Sequence, residues 1–289
     1  MIIIDAHHHF WKIERADYTW LSKDMGVLYQ DYLPEDLEPL LQKHHISGTV
    51  LVQAAPTYEE TLFLLSLYER YDWIFGVVGW LDLSSPDFPK QLDSLMMRPG
   101  IVGLRPMLQD IEKSDWILQE QVIENLKWMI RYNLPLDLLI NKKHIPFILT
   151  LMEALPDLLT VIDHMAKPNI SGGELSEWKE EMNALSQFPN VWCKVSGLMT
   201  QADPSTWKIE DFKPYIHHIV QTFGPSRLLF GSDWPVCLLA GDYESALQII
   251  NNNLPDTLSD VEMNGIFSEN AKAFYKLEKR RESNEQVRI

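Results

Sequence analysis

Residues 2–11 read IIIDAHHHFW, a short β-branched run that ends abruptly in histidines and aromatics. The same pattern, an apolar run with polar residues confined to its C-terminal end, recurs along the chain. The expected strands are IIIDAH (2–7), GTVLVQA (48–54), IFGVVGWL (74–81), IVGLRP (101–106), LPLDLLI (134–140), LTVIDH (159–164), VWCKVS (191–196) and LLFGSD (228–233). Near-continuous apolar strands belong to parallel sheets buried on both faces. Between them, stretches 59–71, 116–132, 144–155, 175–188 and 212–223 space apolar residues three to four apart, as crossover helices do. Eight such units without a glycine-rich linker predict an α/β fold, a single-domain (β/α)8 TIM barrel over residues 1–277. An open doubly wound sheet is the alternative, but no GxGxxG follows the first strand. Residues 247–275 are expected to be one helical stretch, and 278–289 a solvated C-terminal tail.

Composition excludes several classes of function. Hydrophobic residues make up 46% and charged residues 23% of the 289, which is the make-up of a packed globular chain. A net charge of −16 repels polyanions, so no nucleic-acid partner is expected. No window approaches a membrane span, no secretory leader is evident, and two cysteines, Cys193 and Cys237, make no disulfide framework. A cytoplasmic protein is expected, with no membrane partner and with homo-oligomerisation open. Residues 10–34 form a long first loop rich in aromatics, readable either as a lid or as a satellite hydrophobic cluster.

Side chains alternate along a strand, so His7 and His9 share a face about 7 Å apart while His8 points away. Ile3 and Asp5 would belong to the same alternating set. The C-terminal strand ends are where barrel active sites lie. His164 ends the sixth strand and Asp233 the eighth; a carboxylate at the tip of a buried apolar strand is costly unless it is paired or functional. Arg105 and Lys194 are candidate mouth-lining cations for a carboxylate or polyhydroxyl substrate, with a salt bridge the competing role for Lys194. Gln53 and Trp234 are candidate pocket-shaping, substrate-contacting residues, with packing the competing role for each. Lys167, just before Pro168, reads as a loop anchor. His44, His45, His144, His217 and His218 fall in or beside helices and read as surface or packing residues.

The motifs DAHHHFW, VLVQAAPTYEET, GLRPMLQ, LPLDLLI, VIDHMAKP, CKVSGL and FGSDWP together resemble the amidohydrolase superfamily, and within it the amidohydrolase-2 branch of sugar-lactone hydrolases. The resemblance covers nearly all of residues 1–277. It implies that His7 and His9 are the first-strand HxH pair, that His164 and Asp233 are site residues, and that Arg105 binds substrate. The pattern departs at the fifth strand, which offers Asp137 and no histidine, so a two-metal site is not expected. One divalent ion such as Zn²⁺ on His7, His9 and Asp233 is one option, and a metal-free site in which imidazoles act as hydrogen-bonding groups is the other. The expected activity is hydrolysis of a sugar or sugar-acid lactone, with Asp233 accepting the proton of the attacking water. A metal-dependent decarboxylase and a barrel that only binds ligand are the competing readings.

Overall fold

The computed structural model describes residues 2–173 and 175–277; the expected tail over 278–289 lies outside the described residues. Eight parallel strands form one sheet in chain order: β1 (Ile3–His8), β2 (Ile46–Val52), β3 (Ile74–Gly79), β4 (Ile101–Leu104), β5 (Leu136–Leu138), β6 (Thr160–Ile162), β7 (Val191–Val195) and β8 (Leu228–Phe230). All eight expected strands are present. The helices are α1 (Pro34–Lys43), α2 (Tyr58–Arg70), α3 (Phe88–Met96), α4 (Glu120–Tyr132), α5 (Ile145–Ala154), α6 (Ser176–Ser186), α7 (Lys213–Phe223), α8 (Tyr243–Asn253), α9 (Asp260–Asn264) and α10 (Asn270–Tyr275).

The expected helix over 247–275 is instead three. Leu254 takes extended backbone (ψ 143), as the residue before Pro255 must to avoid the proline ring, and this ends α8. A π-helical turn at Gly265–Glu269 then joins α9 to α10. Two crossovers that the spacing did not reveal, α1 and α3, carry proline in their first turn, where its missing N–H is harmless.

Alternating residues divide into two cores. Leu51, Val77, Leu138, Cys193 and Phe230 pack outward in the layer between strands and helices. Ile4, Ala6, Val50, Val52, Val78, Val161 and Leu229 cluster inside the ring with Phe274 and Tyr275 of α10. The Phe274 ring lies 5.2 Å from that of Trp192, near the start of β7, so α10 closes the end of the barrel opposite the strand tips. No helix among the described residues is long and apolar enough to cross a membrane.

The ring closes between β8 and β1 just beyond the regular ladder. The amide of Asp233 donates to the carbonyl of His7 (2.8 Å), and that of His9 to the carbonyl of Trp234 (2.7 Å). Below this seam, Asp5 departs from the expected alternation. A register shift falls between Asp5 and His8, so that His7 follows Ala6 onto the inner face. The Asp5 carboxylate turns away from the imidazoles and accepts from the Ser232 amide (2.9 Å), the Ser232 hydroxyl (2.6 Å) and the Tyr243 hydroxyl (3.0 Å). Asp5 is therefore the clasp of the seam. Replacing Asp5 by Ala strands these buried donors and is expected to lower unfolding free energy by about 2–4 kcal/mol. A urea melt reads this directly; an unchanged midpoint would remove Asp5 from closure.

Candidate active site

Three strand tips deliver four side chains to one point. The Nε2 atoms of His9, His7 and His164 lie 3.4, 3.7 and 3.9 Å from Oδ1 of Asp233, and those of His7 and His9 are 3.2 Å apart. His8 points away and bonds Thr49 Oγ1 at 2.8 Å. Hydrogen bonds fix two of the rings from behind. The carbonyl of Val52 can only accept, so His9 must carry its proton on Nδ1 (2.8 Å), and a neutral His9 then turns an Nε2 lone pair toward Asp233. His164 Nδ1 is held by Ser196 Oγ at 2.9 Å. Gly197 (φ +62) leaves space that nothing larger can use. A Cβ there would sit 2.5 Å from His164 Nδ1 and 2.8 Å from Asp233 Oδ2.

All four groups are buried, and burial decides their charge. It drives the His7 and His9 imidazoles below their ordinary range and His164 down to about 4, so the three are neutral at pH 7. Burial alone would raise Asp233, but the neighbouring imidazoles, His164 foremost, outweigh it and hold the carboxylate below its usual range. An ionised carboxylate oxygen and an imidazole lone pair thus face each other across 3.4 Å. Such a pair requires a proton or a cation between them.

This donor set suits a metal. Zn–N distances of about 2.0–2.1 Å in a tetrahedron put neighbouring ligand atoms about 3.3 Å apart. The separations between the three imidazoles and Asp233, and between His7 and His9, run from 3.2 to 3.9 Å. Atoms of His7, His164 and Asp233 all lie within 4.8 Å of one another, and His9 Nε2 adjoins two of them.

Beneath the imidazoles lies a buried ladder of paired charges. Lys194 Nζ contacts Asp137 Oδ2 (2.5 Å), Asp163 Oδ1 (3.0 Å) and His7 Nδ1 (3.1 Å), and Tyr275 donates to Asp137 (2.8 Å). Arg105 Nη1 contacts Asp163 Oδ2 (3.2 Å) and His7 Nε2 (3.4 Å), while its Nη2 donates to the Gln53 carbonyl. Burial opposes ionisation of Asp163, but Lys194, His7 and Arg105 hold it well below the usual carboxylate range.

Several expected contacts are corrected by this arrangement. Lys194 is fully buried under His7 and does not line the mouth; its salt-bridge role is the one present. Gln53 is equally buried, donating to the Arg105 carbonyl at 2.7 Å. Trp234 turns from the opening and packs against Tyr32 and Phe10, with ring centroids 5.1 and 5.9 Å apart. The open cleft, about 200 Å³, is lined instead by His9, His164, Asp233, Arg105, Lys167 and Gln109, with Trp20, Met25 and Leu28 as an apolar wall. The first loop is thus both a packed cluster and part of the cleft. Lys167 lines the cleft, with its ammonium bonded to Gln109 on the loop after β4. None of His44, His45, His144, His217 and His218 lines it.

Residues 4–277 match the amidohydrolase family. The L-fucono-1,5-lactonase of Burkholderia ambifaria is 39% identical over 279 residues, covering 96% of each chain. That of Burkholderia multivorans is 32% identical over 287 residues, covering 95% of this chain and 96% of its own. A crystal structure of an amidohydrolase from Burkholderia multivorans with bound zinc superposes with a TM-score of 0.90 at 31% identity, over 96% of this chain and 100% of that one.

The depressed His164 imidazole has a thermodynamic signature. Unfolded, it takes up a proton below about pH 6.5; folded, only near pH 4. Its contribution is therefore complete above pH 6.5 and is lost as pH falls toward 4, by roughly 1 kcal/mol per unit. With chelator present, His164→Asn is expected to flatten the fall in urea midpoint between pH 6.5 and 4.5; an identical slope would contradict a neutral buried ring.

Proposed function

The chain belongs to the amidohydrolase family, and within it we propose a hydrolase that opens a sugar or sugar-acid lactone in the cleft at the barrel mouth. The observation that carries this reading is the convergence of three neutral imidazoles on one ionised carboxylate beside a cleft of small-molecule size. Two relatives matched over nearly their whole length are named L-fucono-1,5-lactonases, so a six-membered aldonolactone is the first substrate to test.

Lactone hydrolysis requires a water to lose a proton as it attacks, stabilisation of the carbonyl oxygen, and a proton for the departing alkoxide. Asp233, ionised and at the cleft, accepts the first proton and returns it to the ring oxygen. His9 and His164, held from behind by Val52 and Ser196, present Nε2 toward the same oxygen of Asp233 and orient the water. His7, His9, His164 and Asp233 would hold a divalent ion such as Zn²⁺. When bound, it supplies Lewis-acid polarisation and a more acidic water. Arg105 is fixed by Asp163 and the Gln53 carbonyl at the cleft wall, where it contacts substrate oxygens.

The decarboxylase reading has weaker support. Asp137, the polar residue of the fifth strand, is consumed by Lys194 and Tyr275 below the site and is not offered to a ligand.

Asp233→Asn preserves shape while removing the proton acceptor. It is expected to lower kcat on aldonolactones about 10²–10⁴-fold with an unchanged melting curve. A pH-indicator assay measures this, and full activity in the variant would exclude Asp233 from the chemistry. In the same assay, carbon dioxide release from aromatic carboxylates in place of acid release from lactones would favour the decarboxylase.

A further inference from the structure

Residues 164–167, HMAK, have φ values of +54, +53, +57 and +55, four consecutive left-handed positions without a glycine. Left-handed backbone costs an L-residue roughly 1–2 kcal/mol, so such a run persists only where its surroundings impose it. Here Met165 and Ala166 are buried and Trp178 Nε1 donates to the Met165 carbonyl (2.9 Å). The Lys167 amide donates to the His164 carbonyl (2.9 Å), closing a three-residue turn. Three residues per turn place side chains i and i+3 one above the other, whatever the hand of the turn. Lys167 is thereby brought to the same cleft as His164 and Asp233.

Its charge is left open by the protein. The two other cations at the centre each have a carboxylate partner: Arg105 has Asp163, and Lys194 has Asp137 and Asp163. Lys167 makes no ion pair among the described residues; its Nζ donates to the neutral amide oxygen of Gln109, which also lines the cleft. Burial lowers its affinity for a proton, with Asp233 opposing, as expected of an ammonium drawn from water without an anion at hand. A half-buried cation of this kind in a binding cleft is completed by an anionic ligand.

Resting on the lactonase reading, we propose that Lys167 and Gln109 form an anion subsite in the cleft. It takes the acyl oxygen as it becomes anionic, and afterwards the carboxylate of the hydroxy acid. As the water oxygen bonds to the carbonyl carbon and its proton passes to Asp233, the carbonyl π pair moves onto the acyl oxygen, facing Lys167. That pair re-forms C=O as the ring C–O bond breaks, and the alkoxide recovers the proton from Asp233. The product acid then loses its proton to solvent, and Lys167 holds the resulting carboxylate. Lys167 acts on the charge that develops and Asp233 on the protons, so the two roles separate experimentally.

The test compares binding of L-fuconate with that of its neutral analogue L-fuconamide by calorimetry, in the wild type and in Lys167→Met, which keeps the stem and removes the charge. One charge-assisted contact predicts that the wild type prefers the anion by about 10- to 100-fold and that Lys167→Met loses this preference while binding the amide as before. Lys167→Arg is expected to restore part of it. On the lactone, Lys167→Met lowers kcat with little change in KM. Absence of anion preference in the wild type, including failure to bind either probe, overturns the subsite. So does a Lys167→Met protein that keeps the preference, or one that loses both probes equally with an unchanged circular dichroism spectrum. If Lys167→Met misfolds, Lys167→Gln replaces it under the same criteria. A wild type that prefers the anion through Lys167 yet opens no lactone retires the lactonase reading and keeps the subsite; turnover with no role for Lys167 does the reverse.

Discussion

Two reciprocal hydrogen bonds, Asp233 amide to His7 carbonyl and His9 amide to Trp234 carbonyl, fasten the last strand tip to the first. Without them the carboxylate of the eighth strand has no reason to meet the imidazoles of the first, which lie more than two hundred residues away in the chain. The short β8 makes this junction necessary, because its ladder ends at Phe230 and the chemistry-bearing residues lie beyond it. Gly231 permits the approach: a Cβ at that position would lie 2.6 Å from the Cβ of His7. Asp5, turned outward by the register shift, secures the same seam from the helix side through Ser232 and Tyr243. Closure of the fold and assembly of the site are one event at this place.

The electrostatics follow from counting charges upward from the barrel interior. Asp137 and Asp163 neutralise Lys194 and Arg105, so the lower layer carries no net charge and can be buried whole. His7 sits on that layer and is neutral. Two charges then remain uncompensated at the cleft, the carboxylate of Asp233 and the ammonium of Lys167. The first lies among imidazole nitrogens and asks for a proton or a metal; the second lies beside an amide and asks for an anion. A neutral ester that becomes anionic as it reacts meets both demands. The buried ladder also restricts what lies above it. Breaking a fully buried ion pair by removing one partner costs about 3–5 kcal/mol, so the ladder holds its geometry, and with it that of His7.

Much of this was legible in the sequence because strand tips obey simple rules. Eight apolar runs ending in polar residues announce a parallel barrel, and an alternation of period two singles out His7 and His9 over His8. The same alternation misled at Asp5, because a local register shift has no signature in residue types. It was insufficient at Lys194, since period two says which face a residue takes but not how deep in the barrel it lies. Lys194 is one layer below the tips, where the salt bridge competes and wins. Gln53 and Trp234 failed for a related reason: each adjoins a strand end, yet its side chain is drawn into the packing around it. Lys167 was hidden by handedness. Four left-handed residues without glycine run against local preference and are imposed by tertiary contacts, although the three-residue spacing from His164 was available as a hint. Helix α1 and helix α3 were hidden by prolines that mark a helix start as readily as a loop.

The aromatic first loop shows how such a wall is kept in place. Trp11 and Tyr32 pair across the loop's base, and the Trp11 ring lies 5.3 Å from that of Trp20. Trp20 in turn donates through its indole nitrogen to the Ala54 carbonyl (2.7 Å). The amides of Ala54 and Ala55 donate to the two oxygens of buried Glu60 (2.8 and 2.9 Å), whose pKa burial raises to about 8. Trp20 and Ala54 both line the cleft, so its apolar wall is tied through backbone to the carboxyl group of Glu60 on the first turn of α2. A loop packed through Trp11 and Tyr32 and tied by the Trp20 indole N–H to backbone that Glu60 fixes does not behave as a freely swinging lid; displacing it would strip the indole of its partner. The loop therefore shapes the cleft as a fixed wall, opposing an apolar face to the charged one formed by Asp233, Arg105 and Lys167. That division suits a ligand with one hydrocarbon side and one oxygen-rich side.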